Sequence, residues 1–290
     1  MSIPSPAPEL QAAIDRVIED ALAEDIGSGD VTSRAVIPPD LHFHGVMAAR
    51  EPMVVAGLAF VPEIVRRVVP EAVVTLKAED GDKVEAGAVL ALLDGPAIGL
   101  LTAERTALNL LQHLSGIATL TRRYADTIAE SRAVLLDTRK TIPGLRQLGK
   151  YAARMGGAKN HRMGLYDGVL IKDNHIAVCG SVADAVRRAK AVTDLPVEVE
   201  CDLIEQVRDA VEAGADIILL DNMTPTKLRE AVALIGGRAK TEASGGVTLE
   251  TIAEIAATGV DFISVGRLTQ SAPAVDIGLD WETPPKETHI

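Results

Sequence analysis

The sequence is poor in aromatic residues: one Trp, three Tyr and three Phe among 290 residues. Single-stranded nucleic acids are held by stacking their bases on aromatic rings, so a platform of that kind is excluded. Positive charge is also scarce, with 29 Lys and Arg against 41 Asp and Glu and a formal net charge of −12. Nucleic acids and anionic membranes are bound through a positive field, and neither is expected as the main partner. The two cysteines, Cys179 and Cys201, fit no zinc spacing and cannot build a disulfide framework. Both read as small buried apolar residues in a reducing compartment. No run of 18 or more apolar residues is present, and MSIPSPAPELQAAID shows neither a basic leader nor an apolar leader core. A cytoplasmic protein outside the membrane is expected.

What is present is alternating helix and strand texture. After a Pro-rich lead, Leu10, Ile14, Val17, Ile18, Ala21 and Leu22 recur at helical spacing, predicting an N-terminal helix within residues 1–24. Residues 25–113 hold the short apolar runs HFHGVMAA, MVVAG, AVVTLKA and AVLALLD, the turn signals EDGD and EAGA, and a helical stretch from Ala59 to Val69. This predicts a small α/β domain on a mostly antiparallel sheet. EDGDKVEAGAVLALL also has the texture of a biotinyl or lipoyl carrier hairpin, but no acceptor lysine stands in the required context. A long helix from Ile98 to Ser131 links this region to the rest.

Within residues 114–290, six strand-like runs (AVLLDT, DGVLIKD, PVEVEC, IILLDN, AKTEAS and FISVGR) are separated by helical segments, the pattern of βα units and a parallel sheet. Every run ends on polar residues or Gly. A parallel barrel gathers all its strand C-termini on one active face, whereas a doubly wound sheet does so only at its switch point. Six chemically loaded ends predict an incomplete α/β barrel.

The densest signal lies between Asp137 and Lys172, where eight basic residues face two acidic ones; this net +6 leaves −18 on the other 254 residues. A basic pool in an acidic chain points to a small anionic ligand. Arg146, Lys150 and Arg154 have a second reading as a solvated helix face. Arg139, Lys140 and Lys172 close buried strands, where a positive group is costly unless acid or ligand pairs with it. His161 reads either as a structural histidine or as a ligand contact, and Arg162 beside it as a carboxylate or phosphate fork. Glu200 and Asp221, with Glu198 on the same strand face as Glu200, could hold Mg²⁺, sugar hydroxyls or a cationic transition state, or could pair with Lys140 or Lys172. Ser244, Gly245 and Gly246, and Val265, Gly266 and Arg267, follow the last two strands, where barrels of this kind bind phosphate on backbone N–H groups.

DTRKTIPGLRQLGKYAARMGGAKNHRMGLYDGVLIKDNHI, with LLTAERTALNLLQHLSGIAT before it and VEVEC, LLDN, SGG and SVG after it, resembles the quinolinate phosphoribosyltransferases, the carboxylating nicotinate-nucleotide pyrophosphorylases, from about Glu24 to Asp280. The resemblance implies an open-faced α/β sandwich followed by an incomplete α/β barrel. It implies transfer from phosphoribosyl pyrophosphate to quinolinate with loss of CO₂, giving nicotinate mononucleotide, and use of Mg²⁺. It also implies a homodimer in which Arg105, of the AERT motif, enters the neighbouring site. Thr138, Arg139, Lys140, His161, Arg162 and Lys172 would bind the quinolinate carboxylates and part of the pyrophosphate. Glu200 and Asp221 would face ribose and the Mg²⁺-bound co-substrate, and the two Gly-rich ends would hold the 5′-phosphate. Lys140, Lys172, Glu200 and Asp221 are the expected catalytic group, with no covalent intermediate. Ala158 and Arg267 depart from the family pattern, the first in a turn and the second beside a phosphate loop. Rival readings are a molybdate-transport-associated paralogue of the same fold, a Schiff-base lyase using Lys172, and a non-catalytic phosphometabolite-binding module.

Overall fold

The computed structural model describes residues 8–281; the first seven residues of the Pro-rich lead and the C-terminal extension past Trp281 lie outside the described residues. In chain order the elements are α1 (Pro8–Ile26), α2 (Val31–Val36), β1 (His42–Ala49), β2 (Met53–Val54), α3 (Val61–Val68), β3 (Val73–Leu76), β4 (Lys83–Val84), β5 (Val89–Pro96) and α4 (Ala97–Thr127). There follow β6 (Val134–Leu136), α5 (Arg146–Met155), β7 (Val169–Ile171), α6 (Asp173–Cys179), α7 (Val182–Lys190), β8 (Val197–Cys201), α8 (Ile204–Glu212) and β9 (Ile217–Asp221). The chain closes with α9 (Pro225–Ile235), β10 (Lys240–Ser244), α10 (Ile252–Ala256), β11 (Phe262–Ser264), α11 (Arg267–Gln270) and β12 (Ile277–Trp281). No helix among the described residues is long and apolar enough to cross a membrane.

The chain forms two compact units that interleave along the sequence. The first takes residues up to 120, 142–156 and those from 271 onward, and the second takes 121–141 and 157–270. The linear division at 113/114 differs from this partition because α4 runs unbroken through it and because the chain returns twice to the first unit.

In the first unit an antiparallel sheet has the order β12-β1-β5-β3. Its strands alternate as half-buried strands must: Phe43 and Met47 of β1 are buried while His42 is exposed. The expected N-terminal helix is α1, which buries Leu10, Ala13, Ile14, Val17 and Ile18 along one stripe. The short α2 was not anticipated; its start is fixed by Asp30, whose carboxylate accepts the Ser33 N–H at 2.8 Å. On α5 the solvated-face reading is corrected for Lys150, which is fully buried. Residues four apart on a helix drift round the axis by roughly 40° per step. The stripe Arg146, Lys150, Arg154 therefore passes from half-buried through buried, beside Leu148 and Ala152, to exposed.

In the second unit six parallel strands are ordered β6-β11-β10-β9-β8-β7. Each falls on one of the six apolar runs. Counting from β7 to β11 and on to β6 goes once round a ring, so this is a barrel with one unpaired seam, between β6 and β7. The seam falls where the chain leaves to supply residues 142–156 to the first unit. On its return the chain lies along β6, with a parallel bridge between Leu136 and Lys159 and a Lys159 N–H to Leu135 carbonyl bond of 2.9 Å. On the central strands one face is apolar and buried, as in Val197, Val199 and Cys201 of β8 and Ile218 and Leu220 of β9.

At the N-terminal ends of the strands two aspartates repeat one device. Asp216 accepts the Val197 N–H at 2.8 Å, and Asp261 accepts the Thr241 N–H and hydroxyl at 2.9 Å each. Lys190 and Lys240 pair with them, at 2.9 and 3.1 Å. Burial alone would raise the pKa of Asp261, but the Thr241 bonds and the Lys240 ammonium outweigh it and hold the carboxyl below its ordinary 3.8. A depressed pKa adds stability above the unfolded-state value and loses it as pH falls through the folded-state value. Asp261→Ala is expected to lower the unfolding free energy by about 1–3 kcal/mol near neutral pH, leaving the buried Thr241 N–H unpaired. In denaturant titrations this deficit should shrink below about pH 4; an equal deficit in acid would show that the carboxylate charge is not its cause.

Candidate active site

At the opposite, C-terminal ends of the strands the second unit encloses a cavity of about 870 Å³. Its wall brings together Thr138, Arg139, Lys140, His161, Arg162, Lys172, Glu200, Asp221, Ser244, Gly245, Gly246, Val265, Gly266 and Arg267. These are all the residues for which the family resemblance implied a site role, except Arg105, which lies exposed on α4 in the first unit; Glu198 and the α5 cations Arg146, Lys150 and Arg154 do not line this wall. Of the eight cations between Asp137 and Lys172, four line the cavity.

The basic side rests on Asp137, fully buried at the end of β6. Its carboxylate accepts the Asn160 amide at 2.5 Å and the His161 N–H at 2.8 Å, which sets the Asn-His-Arg segment beside Thr138 and Arg139. Arg162 continues from there, with Nη1 donating to the Gly168 carbonyl at 3.2 Å. Burial disfavours its charge, and the nearby Arg139 guanidinium adds repulsion, so its pKa is lowered. Among the described residues Arg139 Nε is buried without a hydrogen-bond partner. Two adjacent guanidiniums with an unmet buried donor have the geometry to accept a planar anion.

Across the cavity, Lys172 and Glu200 form a close ion pair. This is the pairing the sequence left open, and it ties the end of β7 to that of β8. His175 accepts the Lys172 N–H at 2.9 Å through Nδ1, at the start of α6. Burial and the charges of Glu200 and Asp202 raise the pKa of Asp221.

The β10 end is shaped by Asn222 and two glycines. Asn222 has φ of 52°, and its N–H donates to the Ser244 carbonyl at 2.9 Å. Gly245 and Gly246 have φ of 88° and 62°. A Cβ on Gly245 would overlap the Asn222 amide and stand 3.0 Å from its backbone nitrogen, so only Gly fits this turn. A Cβ on Gly266 would meet the Lys140 side chain at 2.9 Å.

Two carboxylates in the barrel interior complete the site. Glu198 and Glu242 are 4% and 1% exposed, and both approach His161 Nε2, at 3.2 and 3.5 Å. Burial opposes a proton on His161, but the two acids outweigh it and favour one on the Nε2 they face, while the Arg162 N–H occupies the lone pair of Nδ1. Burial and Glu242 in turn push Glu198 upward, so the three groups take up protons as one unit. The sequence reading reached Glu198 as a second candidate but missed Glu242, Asp137, Asn160 and Asn222. Glu242 had a signal: the period-two alternation that groups Glu198 with Glu200 also groups Glu242 with Ser244.

An incomplete parallel barrel whose strand ends carry a basic side, a carboxylate side and Gly-rich turns defines an enzyme of the α/β-barrel class. The family descriptions "Quinolinate phosphoribosyl transferase, N-terminal domain" and "C-terminal domain" match residues 30–115 and 117–280. The chain is 46% identical over 279 residues to the Mycobacterium leprae nicotinate-nucleotide pyrophosphorylase [carboxylating], covering 94% of this chain and 98% of that protein. It is 43% identical over 269 residues to the probable enzyme of that name from Bacillus subtilis, covering 92% and 93%. The solved nicotinate-nucleotide pyrophosphorylase of Francisella tularensis superposes with a TM-score of 0.91 at 39% identity, covering 97% of this chain and all of that one. The protein belongs to the quinolinate phosphoribosyltransferase family.

Gly245→Ala should force a left-handed residue and displace Asn222, weakening ribose 5-phosphate binding about tenfold in calorimetry, equivalent to roughly 1.4 kcal/mol. Unchanged affinity would remove this turn from the phosphate site.

Proposed function

We propose that the protein transfers the phosphoribosyl group of phosphoribosyl pyrophosphate to the ring nitrogen of quinolinate and releases pyrophosphate and CO₂, giving nicotinate mononucleotide for NAD synthesis. The observation that carries this reading is the pair of guanidiniums, Arg139 and Arg162, with a buried donor unmet by protein. A pyridine dicarboxylate matches that need, and the names and extent of the relatives support it.

In this reading Thr138, Arg139, His161, Arg162 and Lys172 surround the dicarboxylate, and Lys140 meets the pyrophosphate. Residues 244–246 and 265–267 receive the 5′-phosphate on backbone N–H groups, with Arg267 adding charge at its edge. Holding two polyanions together removes most of the entropic cost of their encounter. As pyrophosphate departs the ribose carbon becomes cationic, and Glu200 and Asp221 stabilise it electrostatically. The ribosylated nitrogen is positive, so the ring itself accepts the electron pair left when the adjacent carboxylate leaves as CO₂. No general base on the ring is needed.

The donor set fits Mg²⁺: Glu200 and Asp221 offer hard oxygen ligands, and the repulsion that raises Asp221 is relieved by a cation. Bound with the pyrophosphate, Mg²⁺ would supply charge neutralisation to the leaving group. The enzyme works as a cytoplasmic homodimer, with Arg105 completing the partner's site.

The direct test is quinolinate, phosphoribosyl pyrophosphate and Mg²⁺ with carboxyl-labelled substrate; labelled CO₂ is expected, and binding without release would leave only a binding module. Lys172 is engaged in an ion pair with Glu200 rather than set in an apolar pocket beside another cation, an arrangement that disfavours the lyase reading. Borohydride should therefore trap no adduct at Lys172. Arg105→Ala and Lys172→Ala should each lose activity at least a hundredfold, roughly the effect of removing one preorganised charge. Verified heterodimers of the two should regain part of the rate, and no recovery would refute the shared site.

A further inference from the structure

Glu198 and Glu242 stand inside the barrel with no task in the reaction above. Barrel interiors are ordinarily filled with branched apolar side chains, and a buried acid there is costly unless its hydrogen bonds are met. Both carboxylates converge on one atom, His161 Nε2, at 3.2 and 3.5 Å. The other ring nitrogen has a different partner: the Arg162 backbone N–H donates to His161 Nδ1 at 2.8 Å. A nitrogen that accepts a hydrogen bond carries a lone pair and no proton, so the ring hydrogen resides on Nε2, facing the two acids. The His161 backbone is held at the same time by Asp137, whose carboxylate accepts its N–H at 2.8 Å. Both ring nitrogens are thus engaged by the protein, and the side chain is only 14% exposed.

We propose that Glu198 and Glu242 are positioning residues which, by holding the His161 imidazole as an Nε2–H donor, direct its Nδ1 at the Arg162 N–H and so fix the Arg162 guanidinium for the substrate dicarboxylate. His161 is then a strut between the barrel interior and the anion receptor, and it exchanges no proton with substrate. This rests on the reaction proposed above, with Arg162 at the dicarboxylate end. The same three side chains also have ligand atoms within 4.8 Å of one another, close enough to surround a metal ion. A ligated Nε2 carries no hydrogen, so the strut and a metal site exclude each other.

The first test needs no activity. In the full chain labelled with ¹⁵N-histidine, with His161→Gln for assignment, His161 should show a protonated Nε2 and a bare Nδ1. A proton on Nδ1, or a bare Nε2 with stoichiometric metal in the purified protein, would overturn the proposal. The second test is kinetic. Glu198→Ala and Glu242→Ala should raise the KM for quinolinate about tenfold, leave that for phosphoribosyl pyrophosphate within twofold, and lower kcat by less than the quinolinate KM rises. Glu198→Gln and Glu242→Gln keep an acceptor oxygen and should restore most of the loss. A fall in kcat at constant quinolinate KM, or equal rises in both KM values, would refute positioning. If the alanine variants fail to fold, the glutamine variants decide: each must retain the Nε2–H form of His161. Absence of any turnover in the unaltered protein would sink the proposed reaction, while the nitrogen spectra would still decide the strut.

Discussion

The arrangement of the site depends on one buried carboxylate. Asp137 ends the first barrel strand, and the chain then leaves the barrel for the first unit and returns some twenty residues later. Without a fixed point of return, the Thr-Arg-Lys and Asn-His-Arg segments would be separate loops. Asp137 binds the returning backbone at His161 and the amide of Asn160, and the Leu136–Lys159 bridge aligns the two chains behind it. A buried carboxylate with several donors is among the stronger local restraints available to a protein. The basic half of the cavity is therefore built on an acid.

The same economy governs the charge of the whole cavity. Its cations need a negative ligand, yet they must not repel one another before it arrives. The structure places acids at graded depth: Asp137 fully buried, Glu198 and Glu242 inside the barrel, and Glu200 and Asp221 at the rim. The deep ones hold the Asn-His-Arg segment, Asp137 through its backbone and Glu198 and Glu242 through the His161 ring, and those at the rim line the cavity. Arg139 and Arg162 remain close enough to repel, and among the described residues the buried Arg139 Nε has no hydrogen-bond partner. The chain's acidity overall and its local basicity coexist because the basic residues of the 137–172 segment that line the cavity are gathered at the strand ends.

Much of this was legible in the amino-acid order because strand ends are marked twice, once by the close of an apolar run and once by the polar residue that follows. All six parallel strands and twelve of the fourteen assigned wall residues come from that coincidence, while His161 and Arg162 lie in a loop and were marked by residue type and the family resemblance. The remainder had no such double mark. Glu242 lies within its strand rather than at the end, so only alternation betrays it. Asn222 matters through a positive φ and a backbone bond, which residue type alone does not encode. Lys150 looked solvated because helix charge runs usually are, and its burial depends on packing within the first unit. The excursion of residues 142–156 is invisible to periodicity, since a helix reads the same whichever core it joins.

The interleaving of the two units also bears on synthesis. β12 pairs with β1 across more than two hundred residues, from Gly45 with Trp281 to Ala49 with Ile277. The four-stranded sheet begins with β1 but can gain its edge strand β12 only after every strand of the second unit has been synthesised. On the ribosome the six barrel strands emerge before that edge is covered, so β1 must wait with an unpaired flank while the entire second unit is made. Completion of the first unit therefore follows synthesis of the second, and the sheet cannot close around β1 before the barrel strands exist.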